Sequence, residues 1–149
     1  MFKYWNLIIL CFALTSCKSQ DKKLEIMEIG LYFYPSSGGD VIYSVDIKDY
    51  SLVVKNHAPL DTTKLTDYKG TLSKTDIDSI SNFTRNLIYR ETFDNEIVLD
   101  SWRLVLKVNG RKMYEKTDFS IKDLPKDVKN LVKYLMKISP VEIDLYGFS

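Results

Sequence analysis

The chain has 149 residues, with 21 basic and 20 acidic side chains, one histidine and two cysteines. A formal net charge of +1 argues against general nucleic-acid binding, which needs a clear excess of Lys and Arg. A single imidazole excludes a His-rich metal centre, and the length suits one compact core.

The opening segment, MFKYWNLIILCFALTSC, has Lys3 as its only charge, and every residue from Leu7 to Leu14 is apolar. That run is too short to span a bilayer, which takes ~20 apolar residues. A basic start, a short apolar core and a small-residue exit form the pattern of a secretory signal peptide. The exit itself, Leu14-Thr15-Ser16-Cys17, resembles the bacterial lipoprotein box. In proteins with that box the cysteine thiol receives a diacylglyceryl group, the chain is cleaved just before it, and the new amino terminus is usually acylated. The resemblance implies a signal peptide over residues 1–16 and lipidation of Cys17. One acyl chain holds a protein only marginally on a membrane, whereas two or three hold it stably. An ordinary signal peptide with an incidental cysteine and an uncleaved helical anchor are the alternatives.

Cleavage there removes 16 of 149 residues and Lys3 with them, leaving 20 basic and 20 acidic residues and a formal charge of zero. Cys11 departs and Cys17 carries lipid. The folded part then has no thiol nucleophile, disulfide or cysteine metal ligand. Residues 17–23 read as the lipidated cysteine with a polar tether, and residues 24–149 as a single domain. Lys18-Ser19-Gln20-Asp21 has no Asp directly after the cysteine, a feature resembling an inner-membrane retention signal. It also lacks an acidic cluster resembling a surface-export signal. The expected location is the bacterial envelope, at the outer membrane facing the periplasm.

In the domain, LEIMEIGLYFYP alternates with Met27, Ile29, Leu31 and Phe33 on one face, and reads as a strand. The Gly-rich loop SSGGD leads to a second strand, VIYSVDI. Lys48-Asp49-Tyr50 turns into a third, SLVVK. A long polar connection follows, with a short edge strand near Tyr68 to Leu72. SKTDIDSISNFTRNLIY is helical: Ser73 and Asp76 have capping-box spacing, and Ile77, Ile80, Phe83, Leu87 and Ile88 form an apolar stripe. WRLVLKVNGRKMYEK is a hairpin, with Asn109-Gly110 as a type I′ turn. A second helix runs from about Leu124 to Ile138, with Pro125 in its first turn and Pro140 ending it. VEIDLYGF reads either as a last short strand or as a docked tail. The order βββαββα predicts an α+β fold: an antiparallel sheet of about five to six strands, with two helices packed on one face.

The run GG-x-V-I-Y-S-V-x-I, then G-T-L-S before a helix, then D-S-W-R-L-x-L-x-V-N-G and a Leu-Pro helix resembles a family of small lipoproteins from Bacteroidota-type bacteria that carry a domain of unknown function. The likeness covers most of residues 26–138. It implies this fold and an envelope location, and names no activity. Many members have cysteines in the Gly-rich segment. This chain has Ser36-Ser37-Gly38-Gly39-Asp40 there, so any role tied to those thiols is absent.

His57, in Asn56-His57-Ala58-Pro59, reads as an ordinary loop histidine, since no G-x-S-x-G elbow accompanies it. Glu91, Asp94, Glu96 and Asp100 crowd one loop. Paired carboxylates can hydrolyse glycosides or bind Ca²⁺, but a solvated connection is the plainer reading. Lys122, Lys126, Lys129, Lys133 and Lys137 line the second helix opposite its apolar side, as a solvated face does. Tyrosine is a sheet former and also a common contact residue, so a recognition surface is sought first at Tyr32, Tyr34, Ser37 and Gly38. No catalytic residue, metal or cofactor is expected. The favoured function is a non-enzymatic binding or structural module, held on the membrane through Cys17 and contacting another envelope protein. An inhibitor of secreted enzymes and a small carboxylate-dependent hydrolase remain the alternatives.

Overall fold

The structure is a computed structural model and describes residues 27–35, 38–61, 63–90 and 101–145. Six strands and two helices make an α+β fold. In chain order they are β1 (Glu28–Pro35), β2 (Tyr43–Lys48), β3 (Ser51–Asn56), β4 (Asp67–Thr71), α1 (Lys74–Arg85), β5 (Trp102–Val108), β6 (Arg111–Thr117) and α2 (Lys126–Ile138). The strands form one sheet in the order β4-β3-β2-β1-β5-β6, and every pairing is antiparallel. The first four strands run as a meander away from β1. The hairpin β5-β6 returns to pair on β1's other side, so β1 ends up central.

Alternation decides which side chains are buried. Leu31 stands opposite Val45 on β2 and Leu106 on β5, and all three have no solvent exposure. Phe33, Val54 and Leu104 share that fate, and Ile29 is 1% exposed. Ile77 and Ile80 of α1, and Val128, Leu131, Val132 and Leu135 of α2, belong to the same core cluster. Each such side chain contributes on the order of 1.5–3 kcal/mol by leaving water. The helices also touch each other. The rings of Phe83 and Tyr134 lie 5.4 Å apart, and the Tyr134 hydroxyl donates to Asp76 Oδ1 at 2.9 Å.

Local chemistry sets the ends of the elements. The expected capping box is present: Asp76 N–H donates to Ser73 Oγ at 3.1 Å, and Ser73 N–H donates to Asp76 Oδ2 at 3.2 Å. The hairpin turn also has the expected geometry, with Asn109 at φ 50° and Gly110 at φ 73°. Asn109 does more than turn. Its N–H donates to Glu28 O at 2.7 Å, and its Oδ1 accepts from Glu28 N–H at 2.9 Å, which ties the hairpin tip to the start of β1.

Two helix boundaries differ from the sequence expectation. The first helix ends at Arg85 rather than Tyr89, with Asn86 as C-cap. Asn86 Nδ2 donates back to Asn82 O at 2.8 Å. Ile88, expected in the apolar stripe, is 63% exposed. Its N–H donates to Asp127 Oδ2 at 3.0 Å, so a carboxylate from α2 takes a donor that a longer helix would have used. The second helix begins at Lys126, with Pro125 at the cap position rather than inside the first turn. Of the two readings for the final segment, the docked tail holds over its described part. Val141 is 1% exposed, and Trp102 Nε1 donates to Leu145 O at 2.8 Å.

Candidate functional site

The sheet face opposite the core is built by the other half of each strand's alternation. Tyr32 and Tyr34 of β1, Asp46 of β2, Val53 of β3 and Lys107 of β5 are half-buried or exposed there. Tyr32 does not stand upright. Gly30 lacks a side chain, and the phenol lies down over it: a Cβ at position 30 would sit 2.4 Å from the Tyr32 hydroxyl. The ring thereby reaches the neighbouring strand, where its hydroxyl donates to Asp46 Oδ1 at 2.6 Å. Burial and then the Asp46 carboxylate raise the Tyr32 pKa strongly, so the phenol stays protonated and keeps donating. The Lys107 ammonium lies 5.4 Å from the Tyr32 ring centroid, and the Arg103 guanidinium 4.5 Å from that of Tyr34. Such contacts favour a flat, fixed ring.

A groove of about 200 Å³ runs beside this tyrosine, lined among others by Glu28, Gly30, Tyr32, Asp46, Val53 and Lys107. It offers carboxylate, ammonium and aromatic groups side by side. This suits recognition through polar contacts around a ring more than capture of an apolar ligand.

The residues singled out from sequence fall as follows. Tyr32 and Tyr34 lie on the same side of β1, opposite Leu31 and Phe33, and both are half-buried. Gly38 is exposed in the loop after β1, where its N–H donates to Pro35 O at 3.3 Å. Ser37, Cys17 and the acidic residues Glu91, Asp94, Glu96 and Asp100 lie outside the described residues. Lys122, Lys126, Lys133 and Lys137 are exposed and Lys129 is half-buried, as a solvated helix face requires. His57 is exposed, but it is not isolated: Nε2 lies 3.2 Å from Ser44 Oγ, and Ser44 is 4% exposed. Sequence reasoning missed Ser44, Asp46 and Gly30. Only Gly30, an unexpected glycine inside a strand pattern, carried a legible signal.

Comparison with protein-family models, curated proteins and solved structures finds no match. The functional reading therefore rests on residues and geometry. Among the described residues, no group of three or more His, Cys, Asp or Glu side chains could hold a metal ion. Among them too, no helix is long and apolar enough to cross a membrane.

Proposed function

We propose that the chain is a lipid-anchored bacterial envelope protein whose α+β domain acts as a non-enzymatic binding or structural module, touching another envelope protein through its open sheet face. The observation that carries the anchoring is Leu14-Thr15-Ser16-Cys17 directly behind a short apolar run with one basic residue before it. The resemblance to small Bacteroidota-type lipoproteins supports the same reading. The binding role is supported by Tyr32 of β1, held flat by Gly30, Asp46 and Lys107, and by Tyr34 under the Arg103 guanidinium. Rigid amphipathic rings lose little entropy on contact, which is why Tyr recurs at recognition sites.

The test is metabolic labelling with a fatty acid in a bacterial host. The wild-type chain takes up label and stays with membranes, whereas Cys17→Ala takes up none and leaves the membrane fraction. Membrane retention of an unlabelled wild type defeats the anchoring. Orientation is read separately. At the outer membrane facing the periplasm, the protein survives protease added to intact cells and is cut once the outer membrane is opened.

A further inference from the structure

On one side the sheet ends at β4, the first strand in the order β4-β3-β2-β1-β5-β6. The register decides which of its backbone groups are used. Asn56 N–H donates to Thr66 O at 2.7 Å, and Leu72 N–H donates to Tyr50 O at 2.7 Å. The residues bonded to β3 are therefore the even-numbered ones, including Tyr68 and Gly70 opposite Val54 and Leu52. In an antiparallel ladder the residues between them turn their N–H and C=O groups the other way. Asp67, Lys69 and Thr71 thus present these groups at the edge of the sheet.

Such an edge is a template for a further strand, and a lysine is a common means of blunting it. Lys69 stands at the middle of β4 and is exposed, as are Asp67 and Thr71. Lys69 has an acidic companion, however, because side chains two apart on a strand share a face, and Asp67 precedes it by two. Among the described residues neither Asp67 nor Lys69 enters an ion pair. The strand is also supported at its weakest residue. The Tyr68 phenol lies over Gly70, so close that a Cβ there would meet the ring, and an aromatic ring in that place compensates an edge glycine.

We propose that β4 pairs antiparallel with β4 of a second copy of this chain, about a two-fold axis at Tyr68. In that register Asp67 of each copy faces Lys69 of the other, and both pairs use the outward backbone groups. Opposite charges directly across a strand pair attract, and like charges repel. A register centred on Lys69 would set two ammonium groups against each other, and one centred on Gly70 would leave Lys69 opposite Thr71. The charges of β4 thus select one self-complementary alignment, as a two-fold contact requires. The two sheets become continuous, with their Tyr32 faces on the same side. A strand of five residues gives a contact below the ~1,000 Å² of stable interfaces, so the pairing is weak and reversible. The proposal goes beyond the anchored binding module and does not depend on its lipidation.

Cysteine pairing tests the register. The full chain carrying Cys11→Ala and Cys17→Ala has no thiol of its own. Asp67→Cys and Lys69→Cys are introduced into separate copies of it, purified in a neutral detergent, and oxidised with copper–phenanthroline alone and as an equal mixture. Opposed residues of a hydrogen-bonded pair have Cα atoms ~5.5 Å apart, within reach of a disulfide, whereas diagonal neighbours at ~7–8 Å are outside it. The mixture should therefore give a disulfide-linked dimer, and each variant alone should remain a monomer. Sedimentation equilibrium of chains without these cysteines tests the charges. Asp67→Lys alone or Lys69→Asp alone should weaken pairing about tenfold, the scale of two cross-strand attractions turned into repulsions. Mixing the two charge variants should restore it. A mixture without cross-link, equal cross-linking in all three samples, a wild type that is monomeric at every concentration, or charge variants that pair like the wild type would overturn the proposal. Both positions are exposed, and far-UV circular dichroism checks that each variant is folded.

Discussion

Asp127→Asn tests the tertiary clamp that ends the first helix. Arg90 Nη1 donates to Asp127 Oδ2 at 2.8 Å and Nη2 donates to Oδ1 at 2.9 Å, a two-pronged pair. The side chains are 29% and 14% exposed, so solvent screens the pair only in part. Burial works against the charged carboxylate. The Arg90 bonds and the Ile88 and Asp127 N–H groups outweigh it, and the Asp127 pKa falls from 3.8 to about 2. At ~1.36 kcal/mol per pH unit this difference corresponds to about 2 kcal/mol of stability. Because the folded pKa is depressed, that stability is fully present above pH ~4 and is lost as pH falls through about 2. Urea unfolding followed by circular dichroism should therefore show Asp127→Asn destabilised by about 2 kcal/mol at pH 7. At pH 2.5 the gap should shrink to about 1 kcal/mol or less, since protonation has begun to remove the pair from the wild type as well. A gap that stays constant between these pH values, or one below about 0.5 kcal/mol at pH 7, would refute the clamp.

Leu106→Asp or Leu131→Asp should abolish cooperative unfolding, because both positions are fully buried and an isolated buried charge has no compensation. Lys133→Glu, at an exposed position on the outer side of α2, should change stability by no more than about 0.5 kcal/mol. Ser73→Ala removes one half of the capping box and should cost about 1 kcal/mol in the same assay. Gly30→Ala should push the Tyr32 phenol off β1 and break its bond to Asp46, at about 1–3 kcal/mol, the range for a hydrogen-bonding group left without its partner. Tyr32→Phe, which keeps the ring and loses the bond, should cost about 1 kcal/mol. A Gly30→Ala variant as stable as wild type would mean that the ring does not need that gap.

Elements with a local cause were legible from the residues alone. Alternation in Ile29, Leu31 and Phe33, and in Leu104 and Leu106, marks which strand face is buried, because successive side chains point to opposite sides of a sheet. Asn109-Gly110 specifies a turn needing two positive φ angles, and Ser73 with Asp76 closes its cap within four residues. The α+β class follows from their order. The tertiary structure decided whatever depends on groups far apart in sequence. β5 pairs with β1 although the pairing joins Ile29 to Val108, a choice no local pattern encodes. The first helix stops early because Asp127, 39 residues on, accepts the Ile88 N–H. Tyr32 lies flat because Gly30 leaves room beneath it and Asp46 waits on the next strand. Trp102 meets the docked tail 43 residues on, where its Nε1 donates to Leu145 O. In each of these cases the deciding partner arrives only once the chain has folded, so its energy leaves no trace in the local sequence.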